Sequence, residues 1–234
     1  MFLVQLIMLN LIKRWFIPLK DGINEAGSDE LTVIWVHGAN QSGLSFQYLR
    51  SLTQFKKELV VEYDTSYKFK DNLEMLSNDI LKVKGPYFMI GHSLGGLYAL
   101  HLTKHVDVVG AVSISTPFAG SWTADWARFF VPTYQLFRDV GRRSIPIKES
   151  QNIKLTVDWT QIVSTKGNVP YHGGKNDGVC TIKSMKSRKD MELIEVPHTH
   201  FEVMCSDLVV KIILSRYQKV LRSKKTKNAI KKPF

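Results

Sequence analysis

The chain has 234 residues, 44% hydrophobic and 23% charged, the proportions of an ordinary globular protein and of neither a disordered chain nor a multispan membrane protein. Net charge is +11, but eight Lys or Arg and no acid fall between Arg216 and Phe234, so residues 1–215 hold only +3 and the basic excess belongs to the C-terminal end. Two cysteines, Cys180 and Cys205, fit neither a metal-site spacing nor a disulfide framework and read as free thiols; no metal and no cofactor is called for.

Residues 1–17 are apolar except for Gln5, Asn10, Lys13 and Arg14. On a helix, Val4, Ile7, Met8, Leu11, Ile12 and Trp15 share one face. The uninterrupted apolar stretches are too short to cross a bilayer. No basic residue precedes them and no small-residue cleavage site follows, which argues against a secretory signal. The segment reads as a helix docked on the body or lying in a membrane interface, with a processed signal as the remaining alternative. Together with the basic tail it forms a pair of signals of the kind that anchor a protein to a lipid surface. Peripheral membrane contact is therefore left open, and a cytoplasmic or membrane-surface location is favoured over secretion. The tail lacks base-stacking aromatics among its lysines, so no nucleic-acid partner is expected.

Asp21 to Glu30 is a polar linker, which sets the division into an N-terminal segment and linker (1–30), a body (31–221) and a basic tail (222–234). In the body, apolar runs predict strands at Leu31–Val36, Leu59–Tyr63, Tyr87–Ile90, Val106–Ser115, Trp159–Ser164 and Met191–Val196. Helices are predicted between them, at Leu44–Phe55, Asp71–Val83 and from Leu94. A last one, capped by Ser206, has Leu208, Val209, Ile212, Ile213, Tyr217 and Val220 as its buried stripe. Strands alternating with helices predict an α/β protein with a mainly parallel six-stranded sheet covered on both faces. Ligands of such sheets sit at the carboxyl ends of strands. The one sizeable insertion is 117–150. In it Trp122, Trp126, Phe129 and Phe130 lie at near-helical spacing, read as a packing stripe with a pocket wall as the alternative.

Gly91-His-Ser-Leu-Gly95 lies where the third strand turns into a helix. Small residues two before and two after Ser93 let strand and helix backbones approach while the serine projects from the corner, beside a helix N-terminus that favours negative charge. A serine hydroxyl needs a base, and the base needs an orienting acid. His198 and His200 follow the last strand. His37, His92, His101 and His105 read as loop or helix-surface residues, and His172 as part of a glycine-rich loop. Among acids, Asp177 lies in a loop after the fifth strand, with Asp107, Asp125, Asp139, Asp158 and Asp190 as alternatives.

The order Ser93, Asp177, His200, with Val36-His37-Gly38 after the first strand, resembles the α/β-hydrolase superfamily and its small lipases and esterases. Ser115-Thr-Pro-Phe-Ala-Gly120 and Asn176-Asp-Gly-Val179 are similar to further segments of those enzymes, and the likeness runs from Leu31 to Leu221. The resemblance implies a minimal member with little or no cap. It makes Ser93 the nucleophile, Asp177 the orienting acid and His200 the base, with the backbone N–H groups of Ala39 and Leu94 as oxyanion hole. His200 is preferred to His198 because it directly precedes the segment leading into the last helix, although Thr199 stands where the family usually has glycine. Phe118 and Trp122 are the candidate substrate contacts. The implied activity is cleavage of a small-molecule carboxylic ester with an apolar acyl chain. A thioesterase or amidase with the same residues, or a non-catalytic binding relative, are the alternatives. The same likeness brings the loops of Cys180 and Cys205 together and leaves their pairing open.

Overall fold

The computed structural model of the chain describes residues 31–170 and 174–230. The N-terminal helix and linker expected over 1–30, His172, and residues 231–234 of the tail lie outside the described residues.

Strands β1 (Thr32–Val36), β2 (Glu58–Val61), β3 (Tyr87–His92), β4 (Val108–Ile114), β5 (Asp158–Ser164) and β6 (Glu192–Val196) form one parallel sheet, in the order β2-β1-β3-β4-β5-β6. The predicted fold class is thus the observed one. A strand covered on both faces has no need of polar alternation, which is why Thr-Val-Ile-Trp-Val of β1 is buried at every position. Around the sheet lie two 3-10 turns (Gly43–Phe46 and Glu202–Cys205) and eight helices among the described residues. These are α1 (Gln47–Thr53), α2 (Phe69–Leu81), α3 (Leu94–Leu102), α4 (Trp122–Phe130), α5 (Gln135–Val140), α6 (Ile145–Asn152), α7 (Ile182–Met185) and α8 (Asp207–Ile230).

Odd and even positions of the strands feed two separate cores. Ile34, Val36 and Met89 pack with Leu76 and Ile80 of α2, Leu97 and Leu100 of α3, and Ile147 of α6. Val33, Trp35, Phe88 and Val112 pack on the other face with Leu49 of α1 and Val209, Ile213, Tyr217 and Val220 of α8. Each such side chain contributes roughly 1.5–3 kcal/mol relative to exposure, so α8 is fixed by its stripe. The helix then continues to Ile230, and the boundary expected after Leu221 falls inside it. Among the described residues no helix is long and apolar enough to cross a membrane.

Two features place the functional edge. The chain runs from β1 outward to β2 and then back across to β3, so the β1–β3 junction is the switch point where a crevice opens at the carboxyl ends. The long connection from β4 to β5 carries α4, α5 and α6, the insertion expected over 117–150. Its aromatic stripe does not pack inward as expected. Trp122, Trp126, Phe129 and Phe130 are all exposed, and only Ala124 of α4 is buried. Periodicity reveals a shared face but not what that face meets.

Candidate active site

Ser93 follows β3 and precedes α3 with φ 52° and ψ −119°, a backbone conformation that costs a non-glycine residue of order 1–3 kcal/mol. The neighbouring glycines allow the corner. A Cβ on Gly95 would lie 1.9 Å from the Val36 carbonyl oxygen, and one on Gly91 would lie 2.6 Å from that of Gly95. The end of β1 therefore presses directly against the first turn of α3, with the Val36 and His37 carbonyls at Gly95. The Ser93 amide donates to the Ile114 carbonyl (2.8 Å), which ties the corner to β4.

His37 and His92, expected in loops or on a helix surface, are both fully buried, because β1 and β3 are central strands whose ends are covered. His101 is also buried, against the Pro146 carbonyl (3.0 Å), since α6 lies over α3 there. The His37 ring stacks on Tyr63 (centroids 4.3 Å apart, 3° between planes), and the Tyr63 hydroxyl donates to the His37 carbonyl at 2.7 Å. His92 lies between Gln41 Oε1 (3.1 Å) and the His200 carbonyl (3.0 Å). Burial, with His200 alongside, pulls its pKa down to about 3, so the ring is a neutral strut. Asn40 holds the same loop from outside, accepting from Thr65 (2.7 Å) and donating to the Tyr134 hydroxyl of the insertion.

Asp177 is fully buried. Its Oδ1 accepts the amides of Val179 (3.0 Å) and Cys180 (2.7 Å), and its Oδ2 accepts from Ser164 Oγ (2.5 Å) and lies 2.7 Å from His200 Nδ1. Burial alone would raise this carboxyl, but the adjacent His200 and the donors from His200, Ser164 and Cys180 outweigh it and hold the pKa below the ordinary range. The His200 amide donates to the Asp177 carbonyl (2.9 Å), so the two loops are fastened by backbone as well as by side chain. The His200 ring lies 4.9 Å from that of His92, next to Ser93, and Phe201 stands edge-on to it at 5.4 Å, half open to solvent.

The structure thus joins Asp177 to His200, whose carbonyl meets the ring of His92, the residue before Ser93. His198, the other candidate base, pairs instead with Ser206 Oγ (2.8 Å). Asp125, Asp158 and Asp190 are engaged by Arg142, Lys219 and Arg188. Phe118 is not brought to the crevice. It is fully buried among Leu94, Ile147 and their neighbours, with its carbonyl accepting from Gln151 (2.5 Å), so it supports the site from below and lines no open surface. Trp122 is exposed at the start of α4. Ser164 and Phe201 carry no motif of their own, and Ser115 opens a motif that gave it no role. Ser115 Oγ meets Ser164 Oγ at 2.6 Å, extending the chain of hydroxyls behind Asp177. The available signal was position alone, polar residues at strand ends on the carboxyl edge.

Cys180 and Cys205 are free, the first buried and the second exposed. The ligand atoms of Asp177, Cys180 and His200 lie within 4.8 Å of one another, a donor set of the type that binds metals. Here both carboxylate oxygens are already spent on internal donors, and burial pushes the Cys180 thiol far up, keeping it protonated. The set is built for hydrogen bonding and not for an ion.

The sequence model of the alpha/beta hydrolase family matches residues 33–161. No curated protein matches the chain. Among solved structures, the mature form of a Bacillus licheniformis lipase superposes with TM-score 0.68 at 15% identity, over 84% of this chain and 96% of that one. A metagenomic carboxyl esterase gives 0.65 at 12%, over 89% and 79%. The phospholipase PlaB of Legionella pneumophila gives 0.61 at 12%, over 85% and 63%. At these identities the likeness is one of fold.

Proposed function

The chain belongs to the alpha/beta hydrolase family, and on that premise we propose that it is a serine hydrolase that cleaves carboxylic esters through an acyl-enzyme. The observation that carries the reading is the buried 2.7 Å contact between His200 Nδ1 and Asp177 Oδ2, taken with a serine held in strained geometry at a helix N-terminus. Asp177 fixes the tautomer that leaves His200 Nε2 free to accept a proton. Ser93 Oγ then attacks the ester carbonyl carbon and its proton passes to His200. The resulting oxyanion is met by the amides of Leu94 and Ala39, whose donors act on charge that exists only in the tetrahedral intermediate. Collapse expels the alcohol, which takes the proton from His200. A water, deprotonated by His200 in its turn, attacks the acyl carbon and releases the acid and Ser93.

Phe201 beside His200 and Trp122 at the start of α4 offer apolar surface to the acyl group. The structures of like fold reported above are named for enzymes of ester cleavage, the bond class assigned here. Labelling with a fluorophosphonate, and hydrolysis of nitrophenyl esters of graded chain length, test the reading. Wild type is expected to label and to turn over, and Ser93→Ala to do neither while folding normally, with a rate loss of at least about a thousandfold. A Ser93→Ala protein that keeps its rate, or a wild type that does not label, overturns it.

A further inference from the structure

We infer that the outer face of α4 is a docking surface for anionic lipid. Ser121 caps this helix by accepting from the Ala124 amide, and its apolar residues then line up on the side away from the core. Trp126, Phe129 and Phe130 are 56%, 70% and 79% exposed, and Trp122 and Val131 extend the same surface. An amphipathic helix of a globular body turns its apolar face inward, whereas this one presents two tryptophans and two phenylalanines to the outside.

The charges around the face match a negatively charged membrane. Arg128 rests its guanidinium over the Phe129 ring at 5.1 Å, so a cation sits within the aromatic surface. Asp125, the one acid of α4, is paired with Arg142 at 2.8 Å. Arg142 and Arg143, both exposed, follow Gly141, which bridges to Ser121 at the start of the helix. Arginines therefore stand at both ends of an aromatic face whose single acid is neutralised. Trp and Phe on a helix rimmed by Arg suit the boundary between headgroups and acyl chains. A convex helix offers no groove to a protein partner, while a lipid surface needs none. Tyr134, just beyond α4, meets Asn40 in the loop next to Ser93, so the face and the reactive corner lie on one edge of the molecule.

The test is co-sedimentation of the full chain with vesicles, which needs no catalysis and so stands or falls apart from the hydrolase reading. Binding is expected to mixed phosphatidylglycerol–phosphatidylcholine vesicles, weakening with added salt and with phosphatidylcholine alone. Trp126→Ser/Phe129→Ser/Phe130→Ser, with its fold checked by circular dichroism, is expected to weaken partitioning at least about tenfold, and Arg128→Glu to weaken binding to the anionic vesicles only. Equal binding by the triple variant overturns the inference, since another segment would then hold the membrane. So does a wild type that ignores vesicles, including one that is a dimer where the triple variant is a monomer, which would make a second copy the occupant.

Discussion

The loops at Ser93, Asp177 and His200 and the helix α4 are built on opposite terms. In the first region the supports are buried and bonded: Asp177 has four donors on two oxygens, and His92 and Tyr63 strut the loops from within. In the second, the largest side chains face outward and meet only one another and Arg128. A site that works by placing a serine, a base and an acid within tenths of an ångström needs its supports buried and saturated. A surface that meets a partner needs its apolar groups unspent. Perturbing residues on either side should therefore break one region and leave the other indifferent.

The largest effect is expected at Gly95. Its added Cβ would meet two backbone oxygens, Val36 at 1.9 Å and His37 at 2.5 Å, and no flexible side chain can yield. Gly95→Ala should lose more than about 3 kcal/mol of stability, measured by urea unfolding, or fail to accumulate as soluble protein. An alanine variant of wild-type stability would show that the corner is looser than described.

Next comes Asp139 of α5, a buried carboxyl in the insertion whose pKa burial raises from 3.8 to about 6, against the opposing hydrogen bond from Gln135. Between those values the folded state holds a proton that the unfolded state has released, so stability falls as pH rises through that window and is level above it. Asp139→Asn removes this slope and should be more stable than wild type above pH 6, by about 1–3 kcal/mol. Thermal unfolding of both proteins across the window checks the sign, and parallel curves would refute it.

Ser164 probes the saturated region more gently. Ser164→Ala leaves Asp177 Oδ2 to His200 alone. With fewer donors the carboxylate stabilises imidazolium better, so the acid limb of kcat/KM should move to higher pH, with a rate loss of about tenfold. A loss of rate without movement of the limb would make Ser164 a packing residue only.

How legible these regions were in the sequence follows from the same contrast. Six strands could be read because parallel strands buried on both faces appear as unbroken apolar runs, as Leu31–Val36 does. Ser93, Asp177 and His200 stood out by position after strands and by resemblance. The supports did not, because Ser115 and Ser164 become neighbours only through the pairing of β4 with β5, and His37 and His92 are buried only because their strands are central. Phe118 was mistaken for a substrate contact since its segment leaves the carboxyl edge, whereas its ring turns back into the core. The direction of the α4 stripe was hidden for a related reason: helical spacing is the same whether a face meets a core or a solvent.

The smallest effect, that of Phe130→Ala, tests that last point against the same residue type at a buried site. Phe118 is fully buried and Phe130 is 79% exposed, and both belong to the insertion. Truncating Phe118 leaves a cavity beneath α3 and α6, so Phe118→Ala should cost about 3–5 kcal/mol. Phe130→Ala removes almost no contact from the folded chain and should change stability by less than about 0.5 kcal/mol. Its ring would be kept for an encounter outside the molecule, and vesicle binding by the same variant should fall where its stability does not. If Phe130→Ala instead unfolds with Phe118→Ala in urea, the outer face of α4 is packed against part of the chain and the contrast between the two regions is lost.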